Sequence, residues 1–218
     1  MADLLIFGAG DIARLAHRYF ETDSPHTVAA FTVDRDYRKA DSFCGLPLVD
    51  FETVPERYPA QRFQMFVALS YARMNRLRAD KYFRAKEMGY SLVSYVSSRC
   101  SYLTDPPGDN CFILEDNTVQ PFVRIGSNVT LWSGNHVGHD STVDDHCFVT
   151  SHVVISGNVK IGAYCFLGVN STLRNSIVVA PETLVGAGAV IMKDTKPKGV
   201  YLPARAELFE KTSDMIEL

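Results

Sequence analysis

Aliphatic side chains recur at every sixth position from Ile113 to Ile191. Ile113, Val119, Ile125, Leu131 and Val137 open the series, and it continues in one phase through fourteen positions without an insertion or a slip. An α-helix repeats near 3.6 residues and a strand at 2. A strict period of six is the mark of a parallel β-helix built from hexapeptide turns. A second series lies four residues after each aliphatic and is mostly small, as at Val129, Ser141, Cys147, Val153 and Cys165. Such residues suit a cramped interior shared with the aliphatics. Gly follows the aliphatic directly at Gly126, Gly138, Gly162, Gly168 and Gly186, where it either relieves crowding or allows left-handed backbone at a corner. Three hexapeptides make one coil, so every eighteenth residue returns to the same column. Coils stack about 4.8 Å apart, which makes the solenoid roughly 20 Å long.

The first hundred residues read differently. Leu4 to Phe7 is a short apolar run that ends at Gly8-Ala9-Gly10. A helical segment follows, with Ile12, Leu15, Ala16 and Tyr19 on one face, and then a second strand, Val28 to Val33, closed by Asp34. Gly lets a backbone approach phosphate, and a helix N-terminus offers free N–H groups. Gly8-x-Gly10-x-x-Ala13 fits the dinucleotide fingerprint with Ala in third place. The plain alternative is that the Gly turn only links strand to helix. Further on come Leu46 to Val49, a buried strand at Met65 to Leu69, and a helix from Met74 to Met88 stopped by Gly89. The basic residues of that helix, among them Arg73, Arg76, Arg78 and Lys81, read as a solvated face. A last strand, Ser91 to Val96, leads to the solenoid. This is one mononucleotide-binding half, which favours a nucleotide or nucleotide-sugar over NAD. The expected fold is thus an α/β, Rossmann-like N-terminal domain followed by a parallel β-helix. The turn-rich Asp105 to Asn110 sets the domains at 1–104 and 105–205, with a tail at 206–218 that suits a short amphipathic helix over the open end.

Composition narrows the partners. The chain has 218 residues, 22% of them charged, with a formal charge of −3 and no basic run, so no nucleic-acid surface is expected. No apolar stretch approaches a membrane span. The start carries Asp3 where a signal peptide needs positive charge, and five Cys without a Cys-x-x-Cys pair suit a reducing cytoplasm. Cys147 and Cys165 share an interior column. That spacing permits a disulfide, but buried thiols acting as small hydrophobes are the simpler expectation.

Four histidines crowd the solenoid: His136, His139, His146 and His152, separated by 3, 7 and 6 residues. No pair has the spacing of a zinc site, so no metal is expected. His139 is followed at once by Asp140. An imidazole there can take a proton from an attacking amine or hydroxyl, and a carboxylate can fix its tautomer. Neighbouring side chains on extended backbone diverge, so adjacency alone does not join them. Eighteen residues beyond His139 stands Gly157, whose amide can receive a thioester carbonyl or oxyanion. The other three histidines read as surface or interface side chains.

Taken together, His139-Asp140, Gly157-Asn158-Val159-Lys160-Ile161-Gly162, Cys165 to Ser171, Val185 to Ala189 and Pro203-Ala204-Arg205 resemble the bacterial hexapeptide-repeat sugar acyltransferases of the sialic acid O-acyltransferase type. That group includes N-acetyltransferases acting on nucleotide-linked amino sugars. The resemblance spans nearly the whole chain and implies a left-handed β-helix and a homotrimer with sites between subunits. It implies acetyl-CoA as acyl donor, with His139 as general base and Asp140 raising its basicity. The thioester would lie near Gly157 and the pantetheine arm near Val169 and Ala187. The nucleotide-linked sugar would meet Gly8, Ala9, Gly10 and Asp11 with its phosphates, and Asp34 and Arg35 with its base. The product would enter surface-glycan biosynthesis. The chain departs from the group at Asp11-Ile12, which replaces a His-Gly pair and sets a negative charge beside phosphate, and at Ser70-Tyr71-Ala72, which replaces a Gly-Asn loop. The rival expectations are a trimeric nucleotide-sugar scaffold or sensor without catalysis, and an NAD(P)-linked enzyme resting on the Gly turn alone.

Overall fold

The computed structural model describes residues 3–208, 210 and 212–216. Strand β1 (Asp3–Phe7) leads into helix α1 (Asp11–Asp23) and strand β2 (Val28–Val33). Short β3 (Ser42–Phe43), β4 (Leu46–Asp50), helix α2 (Val54–Arg57), β5 (Phe63–Val67) and helix α3 (Arg76–Glu87) follow. The sheet order is β3-β4-β2-β1-β5, all parallel except β3, which runs antiparallel to β4 at the edge. Both faces of the sheet are covered. Leu4 and Ile6 pack with α1, while Leu5 and Phe7 pack with Phe51, Tyr82 and Ala85 on the other side. That explains why β1 reads as a continuous apolar run rather than an alternating one. The buried stripe of α1 is Ala13, Ala16 and Phe20, whereas Leu15, expected on that stripe, is exposed. Two alanines let the helix approach the sheet closely, and Phe20 fills the space at its far end.

Beyond α3 the chain enters the solenoid. Leu92 first bridges Met65 of β5, and Tyr95–Val96 then pairs with Phe112–Ile113. The solenoid's strands therefore begin ahead of the turn-rich segment at 105–110. The strands form three parallel sheets visited in rotation. Face one contains Phe112–Ile113, Thr130–Leu131 and Phe148–Val149; face two contains His136–Val137 and Val154–Ile155; face three contains Thr142–Val143 and Lys160–Ile161. Through the repeat from Phe112 to Ile191, strands pair with the one eighteen residues on, as Thr130 does with Phe148. The six-residue aliphatics and the small residues after them form one continuous core. Cys147 and Cys165 are buried and free, and their thiols donate to the carbonyls of Gly162 and Ala180 at 3.2 Å. Of the tail helix expected at 206–218, the described residues form one 3-10 turn, Ser213–Met215; positions 209, 211, 217 and 218 lie outside the described residues.

The corners have a rule of their own. Every sixth residue from Asn110 to Gly188 has positive φ, including Asn128, Asp140, His146 and Asn158. The Gly that follows each aliphatic does not. At Gly138 the φ is ordinary, but a Cβ would stand 2.5 Å from the Gly157 nitrogen of the next coil. Crowding between coils, not left-handed backbone, is what requires Gly there.

The solvated face expected along α3 is absent at two positions. Arg78 is buried at 2% exposure and Lys81 at 5%. The Arg78 guanidinium donates to Asn128 Oδ1 and to the carbonyls of Ser70, Asn128, His146 and Cys147, at 3.0 to 3.2 Å. Burial pushes its pKa down to about 10, so it remains a cation at neutral pH. Beside it, Asn128 Oδ1 also accepts from Asn110 Nδ2 at 2.8 Å. The Asn128 amide nitrogen therefore faces His146 Nδ1, 2.8 Å away, and that ring nitrogen accepts. Tyr82, Phe83 and Tyr164 surround the imidazole.

Burial holds the His146 pKa below its ordinary value; the Arg78 charge acts in the same sense, and Asp145 and Asp109 oppose it. On acidification the unfolded chain therefore takes up its proton first. The stability that neutral His146 contributes is present above about pH 6.5 and is lost as the pH falls towards the folded value. His26, also lowered by burial, adds to the same limb. Urea midpoints measured between pH 7.5 and 5 are expected to fall in the wild type and to fall less in His146→Gln; parallel curves would rule this out.

Candidate active site

His139 sits at the corner between face two and face three, directly after His136–Val137. Asp140 is one of the left-handed corner residues, with φ 59°. This turns its carboxylate back onto the preceding side chain, and His139 Nδ1 lies 2.8 Å from Asp140 Oδ2. The divergence expected of neighbours on extended backbone does not apply, because the backbone is not extended here. A carboxylate only accepts, so Nδ1 carries the proton and Nε2 is the basic nitrogen. Both side chains are about half exposed, at 56% and 51%. The His139 backbone is also fixed: its N–H donates to Gln120 Oε1 at 2.9 Å, and its carbonyl accepts from Asn158 N at 2.9 Å.

One coil on, Gly157 faces the imidazole. A Cβ on Gly157 would lie 2.7 Å from His139 Nε2, so the absent side chain is what leaves room for the ring. The Gly157 carbonyl accepts from Ser176 N at 3.0 Å, while its own N–H finds no acceptor among the described residues. A basic nitrogen and an open amide thus stand side by side at one solvent-reached corner. That arrangement can take a proton from a nucleophile and donate a hydrogen bond to a developing oxyanion.

Val169 and Ala187 lie elsewhere. They follow strands Phe166–Leu167 and Leu184–Val185 of face one, at the corner between faces one and two, where Gly188 N donates to the Val169 carbonyl at 2.8 Å. They stack on each other's column and not on that of His139 and Gly157. The remaining histidines are dispersed. His136 projects from face two, His146 is buried under α3, and His152 stands over Gly134.

A cavity of about 420 Å³ opens at the C-terminal ends of β1 and β2. Gly8, Ala9 and Asp34 line it. Gly8 has φ +129°, and a Cβ there would meet the Ala68 carbonyl at 2.8 Å, so the fold itself needs that glycine. Gly10, Asp11 and Arg35 do not line the cavity. Asp11 pairs with Arg14 at 3.1 Å and its side chain is 88% exposed. Arg35 turns to Asp50 at 3.2 Å. Sequence reasoning missed Tyr37, Lys39, Arg73, Leu77 and Lys81, which complete the wall. Lys81 is held by Asp34 at 2.8 Å. The acid closing β2 was the available signal, because a half-buried carboxylate needs a cation.

Leading into α3, Arg73, Met74 and Asn75 have φ of 53°, 51° and 65°. L-residues adopt left-handed backbone singly, at about 1–2 kcal/mol each, and rarely in runs. This run is pinned from the solenoid side. Asn75 Nδ2 donates to the carbonyls of Tyr164 and Cys165 at 3.3 and 3.1 Å. The Tyr71 ring packs against Phe148 and Phe166, with centroids 5.2 and 4.8 Å away.

No family model matches the chain. Over 72 residues it is 26% identical to an acyl-[acyl-carrier-protein]–UDP-N-acetylglucosamine O-acyltransferase of Burkholderia lata, a match covering 33% of this chain and 28% of that relative's length. Solved structures match far more of it. A histidine mutant of perosamine N-acetyltransferase from Caulobacter crescentus, in complex with CoA and GDP-perosamine, superposes with a TM-score of 0.83 at 23% identity, covering 97% of this chain and 98% of that one. The acetyltransferase domain of PglB from Neisseria gonorrhoeae gives 0.81 at 20%, covering 93% and 97%. WeeI from Acinetobacter baumannii gives 0.78 at 17%, covering 92% and 96%. Parallel-strand stacking with few helices fits the left-handed β-helix fold of these structures. The likeness carried by the hexapeptide motifs is the one the comparisons return: in fold the chain is similar to sugar N-acetyltransferases, and in sequence to hexapeptide-repeat acyltransferases.

Proposed function

We propose that the chain is an acetyl-CoA-dependent acyltransferase that acetylates the amino group of a nucleotide-linked sugar, within surface-glycan biosynthesis. The observation that carries this reading is the His139–Asp140 pair at 2.8 Å, with its free Nε2 turned to Gly157. The acceptor nitrogen attacks the thioester carbon of acetyl-CoA. A C–N bond forms, the carbonyl oxygen gains charge opposite the Gly157 N–H, and the C–S bond then breaks. His139 Nε2 removes the proton from the attacking nitrogen and passes it to the departing thiolate, which leaves as CoA. No acyl-enzyme is needed, since proximity and base catalysis suffice in principle. Asp140 keeps the imidazole in the basic tautomer throughout.

The N-terminal unit, residues 1–104, is read as a Rossmann-like domain that binds the nucleotide-sugar in the cavity beside Gly8, Ala9 and Asp34. Its parallel β4-β2-β1-β5 core and the glycine turn ahead of α1 support that reading. Residues 105–205 are read as the catalytic β-helix, entered by the strands Tyr95–Val96 and Ser101–Tyr102 ahead of that boundary, and 206–218 as a tail. The GDP-perosamine and CoA of the Caulobacter neighbour are in keeping with both ligands. Within one copy, Val169 and Ala187 share no corner with His139, and the cavity is lined by the N-terminal unit. A homotrimer with sites between subunits brings these parts together, so one copy supplies the base and another the arm-binding edge. No helix among the described residues is long and apolar enough to cross a membrane.

Thiol release from acetyl-CoA is the direct test, against UDP-, GDP- and dTDP-linked amino sugars and their hydroxyl parents. Release is expected with an amino sugar only, and kcat is expected to fall about 100- to 10,000-fold in His139→Ala. Full turnover in that variant, or silence across the panel, would sink the reading. Gly157→Ala supplies a second check. The three atoms nearest its Cβ all belong to the movable His139 ring, so the melting temperature should hold while kcat drops by about 100-fold through the displaced base; an unchanged kcat would remove Gly157 from the mechanism.

A further inference from the structure

The cavity wall carries more positive charge than the fold uses. Among the described residues, Asp34 is the one carboxylate that lines it, and Asp34 is already matched by Lys81 at 2.8 Å. Two other cations line the cavity, Lys39 and Arg73. Neither forms an ion pair among the described residues. Arg73 also opens the left-handed run, at φ 53°. Strained backbone of this kind persists where its surroundings over-determine it, and it clusters at ligand clamps. Here the surroundings are the Asn75 and Tyr71 contacts with the solenoid. They hold the Arg73 backbone in place although its side chain makes no contact that the fold requires.

We infer that Arg73 is the residue that binds the diphosphate of the acceptor nucleotide, with Lys39 as the second charge on the same wall. This rests on the acceptor-nucleotide reading of the cavity. An arginine fork presents two donors in a plane that matches two phosphate oxygens, whereas a lysine acts as a point charge. The arrangement also resolves the objection raised by Asp11. That carboxylate turns away to Arg14, and the charge that meets phosphate comes from the loop before α3, not from the glycine turn.

Calorimetric titration of the full-length protein with UDP, GDP and dTDP, and with the matching monophosphates, tests this. The wild type is expected to bind one diphosphate more tightly than its monophosphate. Arg73→Ala should weaken the diphosphate about 10- to 100-fold while leaving the monophosphate nearly unchanged, and Arg73→Lys should recover only part of the loss. With the nucleotide-sugar as substrate, Arg73→Ala should raise KM with kcat largely retained. If the wild type binds a diphosphate and Arg73→Ala binds it equally well, the role of Arg73 is overturned while the function of the cavity stands. If the wild type binds neither diphosphates nor monophosphates, the nucleotide reading of the cavity falls, and this inference with it.

Discussion

The main-chain pairing between each solenoid strand and the strand eighteen residues away governs everything built on it. Val154 bonds in register with His136 on one side and with Thr172 on the other. Because these are backbone bonds, they place every corner over the corner of the previous coil at about 4.8 Å, whatever the side chains are. The aliphatic column inside and the His139–Gly157 stack outside are two readings of the same register. An insertion of one residue between Val137 and Ile155 would swing the later aliphatics out of the core, and it would part His139 from Gly157 in the same step. Stability and site geometry cannot drift independently along this stretch.

The period of six was fully legible, since it is local and uninterrupted. So was the column that sets Gly157 above His139, because it follows from counting. The contact between His139 and Asp140 was not. Counting gives a residue's coil and face but not its φ, and the contact depends on the left-handed backbone at Asp140. A clue was present nonetheless: Asn110, Asp116, Asn128, Asp140, Asn158 and Asn170 all occupy the same place in the hexapeptide, and Asn and Asp are the side-chain-bearing residues that tolerate that backbone best. The role of α3 was hidden for another reason. Arg78 finds its acceptors at Asn128, His146 and Cys147, far off in sequence, so no local pattern separates it from Arg76 or Arg84. Burial of Arg78 comes from where the solenoid leaves carbonyls facing the helix, which the α3 sequence does not contain.

Helix α3 and the loop before it therefore belong to both halves of the chain. Leu77 and Lys81 face the cavity, while Asn75 and Arg78 are tied to solenoid carbonyls. A buried guanidinium with four hydrogen bonds to the solenoid resists sliding, because any shift strands both the charge and the carbonyls in a dry interior. The cavity thus keeps a fixed orientation towards the solenoid. The junction behaves as a single packed unit rather than as two domains on a linker, and the short passage from Leu92 to Tyr95 allows little else.

That rigidity has a consequence for how a site is assembled. The cavity is lined from the N-terminal sheet, the loop before α3 and α3 itself, while His139 marks the corner where face two gives way to face three. On the proposed reading, an acceptor held in the cavity has to meet a base that its own chain carries at a different corner. The ties from Asn75 and Arg78 to the solenoid fix where the cavity stands, so that reading calls for the corner of a second copy rather than for a swing of the N-terminal unit around the solenoid.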